Sequence, residues 1–379
     1  MTEREASHTS SEPSPRRRVA VLCLCATDLG LLTSSLKTER RADMPLSLAD
    51  LKKIGDTPIT IESTTYPEVC LRMDGTGVPT TMAGGGTVNC NFRAADQEKF
   101  KLRDHGNDTF SIESIAFPGV FLRMVAADVN SQTPTGGVVN CQLNADGGGH
   151  ETFKFRAQAD GSYSIESLGF PNVFLRMTGT GVTTHTAQGG GKVDCHFNAN
   201  GGAEEKFKIS MAAQSLDFSN AQLQSQTMWC WAASSVNIAR FYNPNTTQTQ
   251  CAQANAQFGQ DKCCNAADAG GAACNRGSWP TDALTRMRHL KEELFRALTP
   301  VEVAAELAKS QPVGVDTHWR NGGGHIVVIR GRWESDGTEW LRIHDPWDGF
   351  VDVTFDSFVN NYTAAGGVWS RSYRTVRQA

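Results

Sequence analysis

Residues 224–234 read QSQTMWCWAAS, and this stretch decides the fold of the C-terminal half of the chain. Cys230 lies between two tryptophans, and the apolar spacing after it predicts a helix that runs through Arg240. Far downstream, His325 follows three glycines and opens an aliphatic run that is typical of a buried strand. Asp345 ends a further strand pattern. A thiol, an imidazole and a carboxylate in this order indicate a hydrolase with a cysteine nucleophile.

Each of these residue types has a chemical role in such a site. The thiolate is the reactive form of cysteine, and a helix N-terminus beside a histidine lowers the pKa of a thiol. Asp345 is expected to accept the ring N–H of His325 and fix its tautomer. Gln224 is expected to donate its side-chain amide to an oxyanion hole, with the backbone N–H of Cys230 as second donor. His344 is a competing imidazole, which strand alternation turns away from Asp345, either into solvent or behind the site.

From about residue 216 onward, these blocks resemble the papain-like cysteine proteases of the bacterial avirulence-effector branch. In that branch, five residues separate a glutamine from a cysteine that lies within Trp-Cys-Trp-Ala-Ala. A Gly-Gly-His followed by aliphatic residues comes later, and then an Asp-Pro, and this chain has all three blocks in that order. The resemblance implies an α+β fold and a peptidase with Cys230 as nucleophile and His325 as base. It also implies that Asp345 orients the base and that Gln224 is the oxyanion donor. A protease half that is inactive, or that cleaves only itself, remains the alternative.

Residues 57–209 contain a threefold internal repeat. Ile-Glu-Ser recurs at spacings of 51 and 53 residues, and each copy continues through Leu-Arg-Met to a Val-Asn-Cys or Val-Asp-Cys. The cysteines of these motifs are Cys90, Cys141 and Cys195. Alternating apolar and polar residues between Pro- and Gly-containing turns indicate strands. Three such copies predict a closed β-trefoil, in which the repeated Glu and Arg face each other across a hairpin.

The repeat resembles the arabinofuranosidase-B-type carbohydrate-binding trefoil, through its Ser-x-Glu-Ser, Pro-Gly and Leu-Arg positions. That family usually has a histidine after Leu-Arg, where all three copies here have methionine, at Met73, Met124 and Met177. This departure argues against arabinose as the ligand. Sugar binding, protein binding and a purely structural role therefore remain open for the trefoil.

Four cysteines lie close together in a glycine-rich insert: Cys251, Cys263, Cys264 and Cys274. We expect two disulfides among them, with free thiols and a zinc site as the alternatives, although adjacent cysteines suit zinc poorly. Disulfides would imply an oxidising compartment. The three equivalent cysteines of the repeat are expected to be packed thiols that do not pair with one another.

The overall composition narrows the classes of partner. A formal charge of −4 and a pI near 6.2 argue against a general nucleic-acid surface. No apolar run approaches the ~20 residues that a membrane span requires. Residues 16–26 combine three arginines with an apolar run and resemble a secretion signal, but Asp28 interrupts the run. A disordered polar tail is the preferred interpretation, with a secretion signal and a true start at Met44 as the alternatives.

The sequence thus predicts a multidomain chain: a disordered or targeting tail at residues 1–44, an all-β β-trefoil at 45–210 and an α+β papain-like domain at 211–379. The predicted function is that of a cysteine-type peptidase with an appended binding module, acting on a peptide or protein. A glycan is the candidate ligand of the trefoil, and no cofactor, metal or nucleic acid is expected. Secretion, or delivery into a host cell, is the expected destination. A lectin-like binding protein with an inactive protease half is the alternative.

Overall fold

A computed structural model of the chain describes residues 46–78, 85–130, 136–144, 146–335 and 337–378. The predicted tail at residues 1–44 lies outside this part. Within it, two β-sheets follow one another along the chain, the first with twelve strands and the second with seven. A short helix α1 (Leu48–Lys53) precedes the first sheet, and a capping box between Ser47 and Asp50 starts it. Among the described residues, no helix is long and apolar enough to cross a membrane.

The first sheet is built from three lobes of four strands each in the described part of the chain. Its strands are β1 (Ile59–Ser63), β2 (Val69–Asp74), β3 (Gly86–Phe92), β4 (Phe100–Gly106), β5 (Thr109–Ser114), β6 (Val120–Val125), β7 (Gly137–Leu143), β8 (Thr152–Ala157), β9 (Tyr163–Ser167), β10 (Val173–Thr178), β11 (Gly191–Phe197) and β12 (Phe207–Met211). Strands β1, β4, β5, β8, β9 and β12 pair in a closed ring, so the first and last strands meet. The remaining strands form three hairpins that pair with one another. This pairing is that of a β-trefoil, and the predicted fold is confirmed.

The core of the barrel takes the same positions from each lobe. The leucine and methionine of each Leu-Arg-Met motif are fully buried there. They are Leu71, Met73, Leu122, Met124, Leu175 and Met177. The three repeated methionines therefore pack inside the barrel, where an apolar side chain contributes most to stability.

A ring of glycines and cysteines joins the three hairpins. In each pairing, a glycine of one lobe lies opposite the motif cysteine of another lobe. The pairs are Gly86 with Cys141, Gly137 with Cys195, and Gly191 with Cys90. A Cβ on any of these glycines would overlap the sulfur atom of the facing cysteine. The three thiols are unpaired and buried, as expected, and they fill the space that the missing Cβ atoms leave.

The predicted contact between the repeated Glu and the Arg of Leu-Arg-Met is wrong. Glu113 accepts instead from Arg103 of β4 over 2.7 Å and from the backbone N–H of Gly119 over 2.8 Å. Arg123 forms an ion pair with Glu151 at 3.1 Å. The reason is the register, because β5 pairs with β6 only beside Glu113, and β6 then pairs with β7. The third copy behaves alike, in the pairs Arg156 with Glu166 and Arg176 with Asp194.

The second sheet belongs to the C-terminal half, where helices come mainly first and strands later. Its elements are β13 (Gln214–Ser215), α2 (Cys230–Tyr242), α3 (Gln250–Phe258), α4 (Ala266–Ala269), α5 (Pro280–Arg286), β14 (Leu290–Leu294), α6 (Pro300–Ala308), β15 (Val313–His318), β16 (Gly324–Ser335), β17 (Thr338–Asp345), β18 (Gly349–Thr354), α7 (Phe355–Asn360) and β19 (Val368–Thr375). The strand order is β14-β19-β15-β16-β17-β18, with β13 beside β16. Helix α2 packs on β16, and this contact places the cysteine motif against the sheet.

The two halves are packed together where the chain crosses from one sheet to the other. Strand β12 ends at Met211 and β13 begins three residues later. The buried guanidinium of Arg332 donates to the backbone oxygens of Met211 and Ala212 over 2.9 and 3.1 Å. Val301 and Ala304 of α6 join the apolar core of the trefoil. The crossing is therefore held by hydrogen bonds and by a shared apolar contact.

The glycine–cysteine ring makes a prediction about stability. Gly86→Ala would push a methyl group into Cys141 Sγ, so we expect the variant to lose about 1–3 kcal/mol, as overpacked cores do. Gly149→Ala is the matched control, because a Cβ there meets no atom within 4 Å. Thermal denaturation of the full chain measures both. Equal melting temperatures for the two variants would contradict the packing described here. Adding Cys141→Ala to Gly86→Ala should recover part of the lost stability, because it removes the sulfur atom that the new methyl group meets.

Candidate active site

Cys230 is the first residue of α2, as predicted, and the sheet holds that end of the helix. The hydroxyl of Ser234 donates to the backbone oxygen of Ile326 over 2.9 Å, which ties the N-terminal part of α2 to β16. The first N–H groups of a helix have no partner within it and carry partial positive charge. Cys230 is fully buried. The thiol therefore lies at a buried helix N-terminus, where the helix end favours a negative charge and burial opposes it.

His325 is the second residue of β16 and lies between two tryptophans. Its ring stacks on Trp319 at a centroid distance of 6.0 Å and meets Trp347 at 5.5 Å. Its Nε2 atom lies 2.7 Å from Asp345 Oδ1. Because Asp345 has a depressed pKa and is ionised, its oxygen only accepts, so Nε2 carries the proton. That bond leaves Nδ1 as the ring nitrogen that can serve the thiol.

Asp345 ends β17 and is fixed by donors from three directions. Beside His325, the backbone N–H of Trp347 donates to Oδ1 and the hydroxyl of Tyr362 donates to Oδ2, each over 2.7 Å. Burial alone would raise the pKa of Asp345, but the charge and hydrogen bond of His325, with these two donors, lower it to about 2. The carboxylate is therefore ionised over the whole physiological range.

The His325 ring is held in its protonated form. Burial alone would lower its pKa, but the Asp345 carboxylate and the nearby Cys230 together raise the pKa to about 10. Asp345 thus bonds one ring nitrogen, while the other, Nδ1, is buried without a hydrogen-bond partner among the described residues. The stability that this shift contributes is complete below the usual imidazole pKa of 6.5 and is lost as the pH rises towards 10.

Gln224 lies on the loop before Cys230, but its amide is already engaged. Its Nε2 atom donates to the backbone oxygens of Gln226 and Thr227 over 2.8 and 3.0 Å. Its backbone N–H donates to Pro346, the residue after Asp345, over 2.7 Å. Gln224 therefore links the nucleophile loop to the end of β17. Its amide reaches a reacting oxygen only if one of the two side-chain bonds opens.

His344 is not a solvent residue, and that part of its interpretation is wrong. It is buried on the opposite face of β17 from Asp345, against the ring of Phe218, and its Nδ1 lies 3.4 Å from Asn237 Nδ2. Burial lowers the pKa of His344 to about 4, so the ring is neutral. The alternation along β17 separates the two imidazoles as predicted, and the second one packs behind the site.

The two tryptophans beside the nucleophile serve as anchors in the core. The indole N–H of Trp229 donates to the backbone oxygen of Cys274 over 2.8 Å. The indole N–H of Trp231 donates to the backbone oxygen of Arg276 over 3.0 Å. Both rings are almost fully buried. The cysteine is thus presented by a loop that is fastened on both sides to residues 274–276.

Sequence reasoning missed two residues near the site. Tyr362 carried no motif and reaches Asp345 from the turn after α7. Asp316 lies in β15 and is 1% exposed; Ser370 donates to its Oδ2 atom, and its Oδ1 atom has no partner among the described residues. Burial raises the pKa of Asp316, and Cys230 is close enough to add to the shift. An acidic residue inside a strand of buried residues was the available signal.

The structure thus brings Cys230, His325 and Asp345 together and leaves Gln224 beside them on the loop. Across the described part of the chain, no group of three or more His, Cys, Asp or Glu side chains is arranged to hold a metal ion. The arrangement combines a thiol at a helix N-terminus, a buried imidazole and a carboxylate. It is therefore suited to acyl transfer through a thioester.

This arrangement and the α+β order of the C-terminal half define a papain-like cysteine protease domain. Residues 212–363 match the family described as papain-like cysteine protease AvrRpt2. The predicted resemblance of the C-terminal half is confirmed. Among curated proteins, none matches the chain.

Solved structures that resemble the chain include several with low overall similarity. The Polyporus squamosus lectin, bound to a human-type influenza-binding epitope, is 13% identical at a TM-score of 0.35, covering 79% of this chain and 94% of the lectin. The designed threefold-symmetric protein ThreeFoil is 15% identical at a TM-score of 0.31, covering 40% and 96%. A mosquitocidal holotoxin is 12% identical at a TM-score of 0.32 and covers 42% of this chain, which spans 17% of the toxin's length. The trefoil assignment rests on the strand pairing described above.

The Tyr362 hydroxyl makes a prediction about acid stability. A carboxyl whose pKa is lowered by folding stabilises the fold above its unfolded pKa, and this contribution is lost as the pH falls through the folded value. Tyr362→Phe removes one of the donors that lower the pKa of Asp345, so we expect a loss of about 1.5–3 kcal/mol at neutral pH that shrinks towards pH 2.

Tyr66→Phe is the matched control, because it removes a hydroxyl bond of the same 2.7 Å length to Glu204 in the trefoil, where both groups are partly exposed. Urea denaturation between pH 2 and pH 7 compares the two variants. A constant difference between Tyr362→Phe and the unsubstituted protein at every pH would show that the hydroxyl does not act through the charge of Asp345.

Proposed function

We propose that the protein is a cysteine peptidase in which Cys230 is the nucleophile, His325 the proton carrier and Asp345 the orienting carboxylate. The observation that carries the proposal is the ring of His325, which bonds Asp345 through Nε2 and has a buried Nδ1 without a hydrogen-bond partner among the described residues, with Cys230 near enough to raise the pKa of the ring. A buried histidine bound to a carboxylate is common in proteins. A buried histidine that also has an unengaged ring nitrogen, near a thiol at a helix N-terminus, is what nucleophilic catalysis requires.

The reaction follows from these contacts. The Cys230 thiolate attacks the carbonyl carbon of a peptide bond, and the C=O electron pair moves to the oxygen. When the carbonyl reforms, the C–N bond breaks, and protonated His325 gives its proton to the departing amine. The product is a thioester on Cys230 and a free amino terminus. A water molecule, deprotonated by His325, then attacks the thioester, and the C–S bond breaks as the carbonyl reforms. This step releases the acid and restores the Cys230 thiolate and the protonated His325.

Two groups are proposed to stabilise the oxyanion in both steps. They are the backbone N–H of Cys230 and the side-chain amide of Gln224, which must first release one of its two loop bonds. Removing a single oxyanion donor typically costs ~100-fold or more in kcat. The need to free the amide suggests that substrate binding and completion of the oxyanion hole are coupled.

The alternative function is that of a binding protein whose protease half does not turn over peptides. The full burial of Cys230 and the engaged amide of Gln224 favour it. The peptidase is preferred because an inert half would not need His325, a proton carrier, to be shared between a carboxylate and a thiol. Buried charged groups are costly to retain where they serve no reaction.

The trefoil is proposed to bind a glycan and so to direct the peptidase to its targets. The proposal is supported by the resemblance of the repeat to carbohydrate-binding trefoils. The full chain carrying Cys230→Ala, applied to a glycan array, tests it without self-cleavage. An array without any bound glycan would leave a protein as the better ligand class.

We further propose an oxidising destination outside the producing cell, or delivery into a host. The sulfur atoms of Cys251 and Cys264, and of Cys263 and Cys274, lie at bonding distance, which supports the two expected disulfides. Peptide mapping without reductant tests them. Four alkylatable cysteines in native, active protein would contradict both the disulfides and the compartment.

Cys230→Ala is expected to abolish peptide hydrolysis and covalent labelling of this position by a thiol-reactive peptide electrophile, because the thioester forms on the Cys230 sulfur. Cys70→Ala is the matched control, since Cys70 is also buried and unpaired, and burial raises the pKa of its thiol well above the usual range. The control should keep full hydrolysis and labelling. Peptidase activity that survives in Cys230→Ala would refute the assignment.

A further inference from the structure

The loop that leads into Cys230 takes part of its conformation from a distant segment. Asn275 makes two hydrogen bonds to that loop: its Oδ1 accepts from the backbone N–H of Met228 over 2.9 Å, and its Nδ2 donates to Thr227 Oγ1 over 2.8 Å. The residues on either side of Asn275 accept the two indole bonds described above. Residues 274–276 therefore bond to four residues around the nucleophile, at positions 227, 228, 229 and 231.

Residues 274–276 are themselves firmly anchored. Cys274 pairs with Cys263, and both are fully buried. The backbone N–H groups of Cys274 and Asn275 both donate to the oxygen of Gly271, over 3.0 and 2.8 Å. The guanidinium of Arg276 lies 4.7 Å from the ring centre of Phe258. The segment is thus a fixed support, and the loop before Cys230 is shaped against it.

The bonds of Asn275 bear on both proposed oxyanion donors. The direction of the Cys230 N–H is set by the planar peptide that joins it to Trp229, and so by the backbone angles of Met228 and Trp229. Asn275 fixes the N–H of Met228 directly. The amide of Gln224 is bound to the backbone oxygen of Thr227, whose hydroxyl Asn275 also holds. One side chain therefore reaches both donors through the loop.

We propose that Asn275 is a positioning residue of the peptidase, which orients the Cys230 N–H and the Gln224 amide towards the reacting carbonyl without touching substrate. The inference rests on the proposed function of Cys230. An oxyanion donor acts only when it points to the place where the charge develops. Asn275 therefore governs the rate of the chemical step, while the reactivity of the thiol itself is set by His325 and the end of α2.

The test separates these two properties in the full-length protein. For Asn275→Ala, kcat and KM are measured on a cleaved peptide. Its affinity for a peptide aldehyde and the rate at which iodoacetamide alkylates Cys230 are measured as well. The aldehyde adduct carries an oxyanion, whereas alkylation needs the thiolate and no oxyanion donor. We expect kcat and aldehyde affinity to fall by about 10- to 100-fold, with KM and the alkylation rate within about twofold of the unsubstituted protein.

Two further variants serve as controls. Asn265 lies in the same insert, and its exposed side chain bonds to Asp268. Asn265→Ala should leave kcat, KM, aldehyde affinity and the alkylation rate within about twofold of the unsubstituted protein. Thr227→Val removes only the hydroxyl that Asn275 Nδ2 holds, so it should lower kcat and aldehyde affinity together, by less than Asn275→Ala. This milder variant keeps the test decisive if Asn275→Ala fails to fold.

The outcomes are distinct. Alkylation that slows as much as kcat in the folded variants would show that Asn275 merely maintains the thiol site, and the proposal would be overturned. Unchanged aldehyde affinity would overturn it as well. If the unsubstituted protein cleaves no peptide and its Cys230 resists both reagents, the proposed function fails, and this inference fails with it.

Discussion

The short contact between His325 and Asp345 is the constraint on which the C-terminal half depends. It joins the start of β16 to the end of β17, strands that pair along most of their length, so their register must bring these two residues together. It also requires Tyr362 to close over the free carboxylate oxygen. A carboxylate and an imidazolium buried in an apolar surrounding are tolerated only when each has such partners. Chemistry and folding therefore impose the same arrangement here.

Much of this arrangement was predictable because its elements carry local signals. The apolar helix pattern after the motif predicted that Cys230 begins a helix, and strand patterns predicted the positions of His325 and Asp345. The resemblance to a protease family indicated that the three residues form one site. Asn275 and Tyr362 were not predicted, because each acts through a contact with a distant part of the chain. The bonded amide of Gln224 was missed for a related reason, since its acceptors are backbone oxygens whose direction depends on the loop conformation.

In the trefoil too, the sequence pattern predicted the fold but not the side-chain contacts that depend on strand register. The repeat fixed the number of lobes and the barrel topology, because each copy has to bury the same face against its neighbours. The pairing of charged residues did not follow, because Glu113 and Arg123 lie on strands that part after a single paired position. The Glu113 carboxylate instead accepts a hydrogen bond from the backbone N–H of Gly119 and stabilises the turn there. Gly119 has a left-handed φ of 80° that suits glycine. The Glu of the motif is thus a turn residue more than a sheet residue.

The ring of glycines and cysteines has a consequence for how such a chain can change over evolutionary time. Each glycine faces a cysteine from a different lobe, so the space for a side chain in one copy is determined by the copy beside it. Three identical copies satisfy this condition automatically. A single divergent copy does not, unless its neighbour changes too. Contact between the copies therefore keeps the three motifs nearly identical, because a substitution in one lobe requires a compensating substitution in the next.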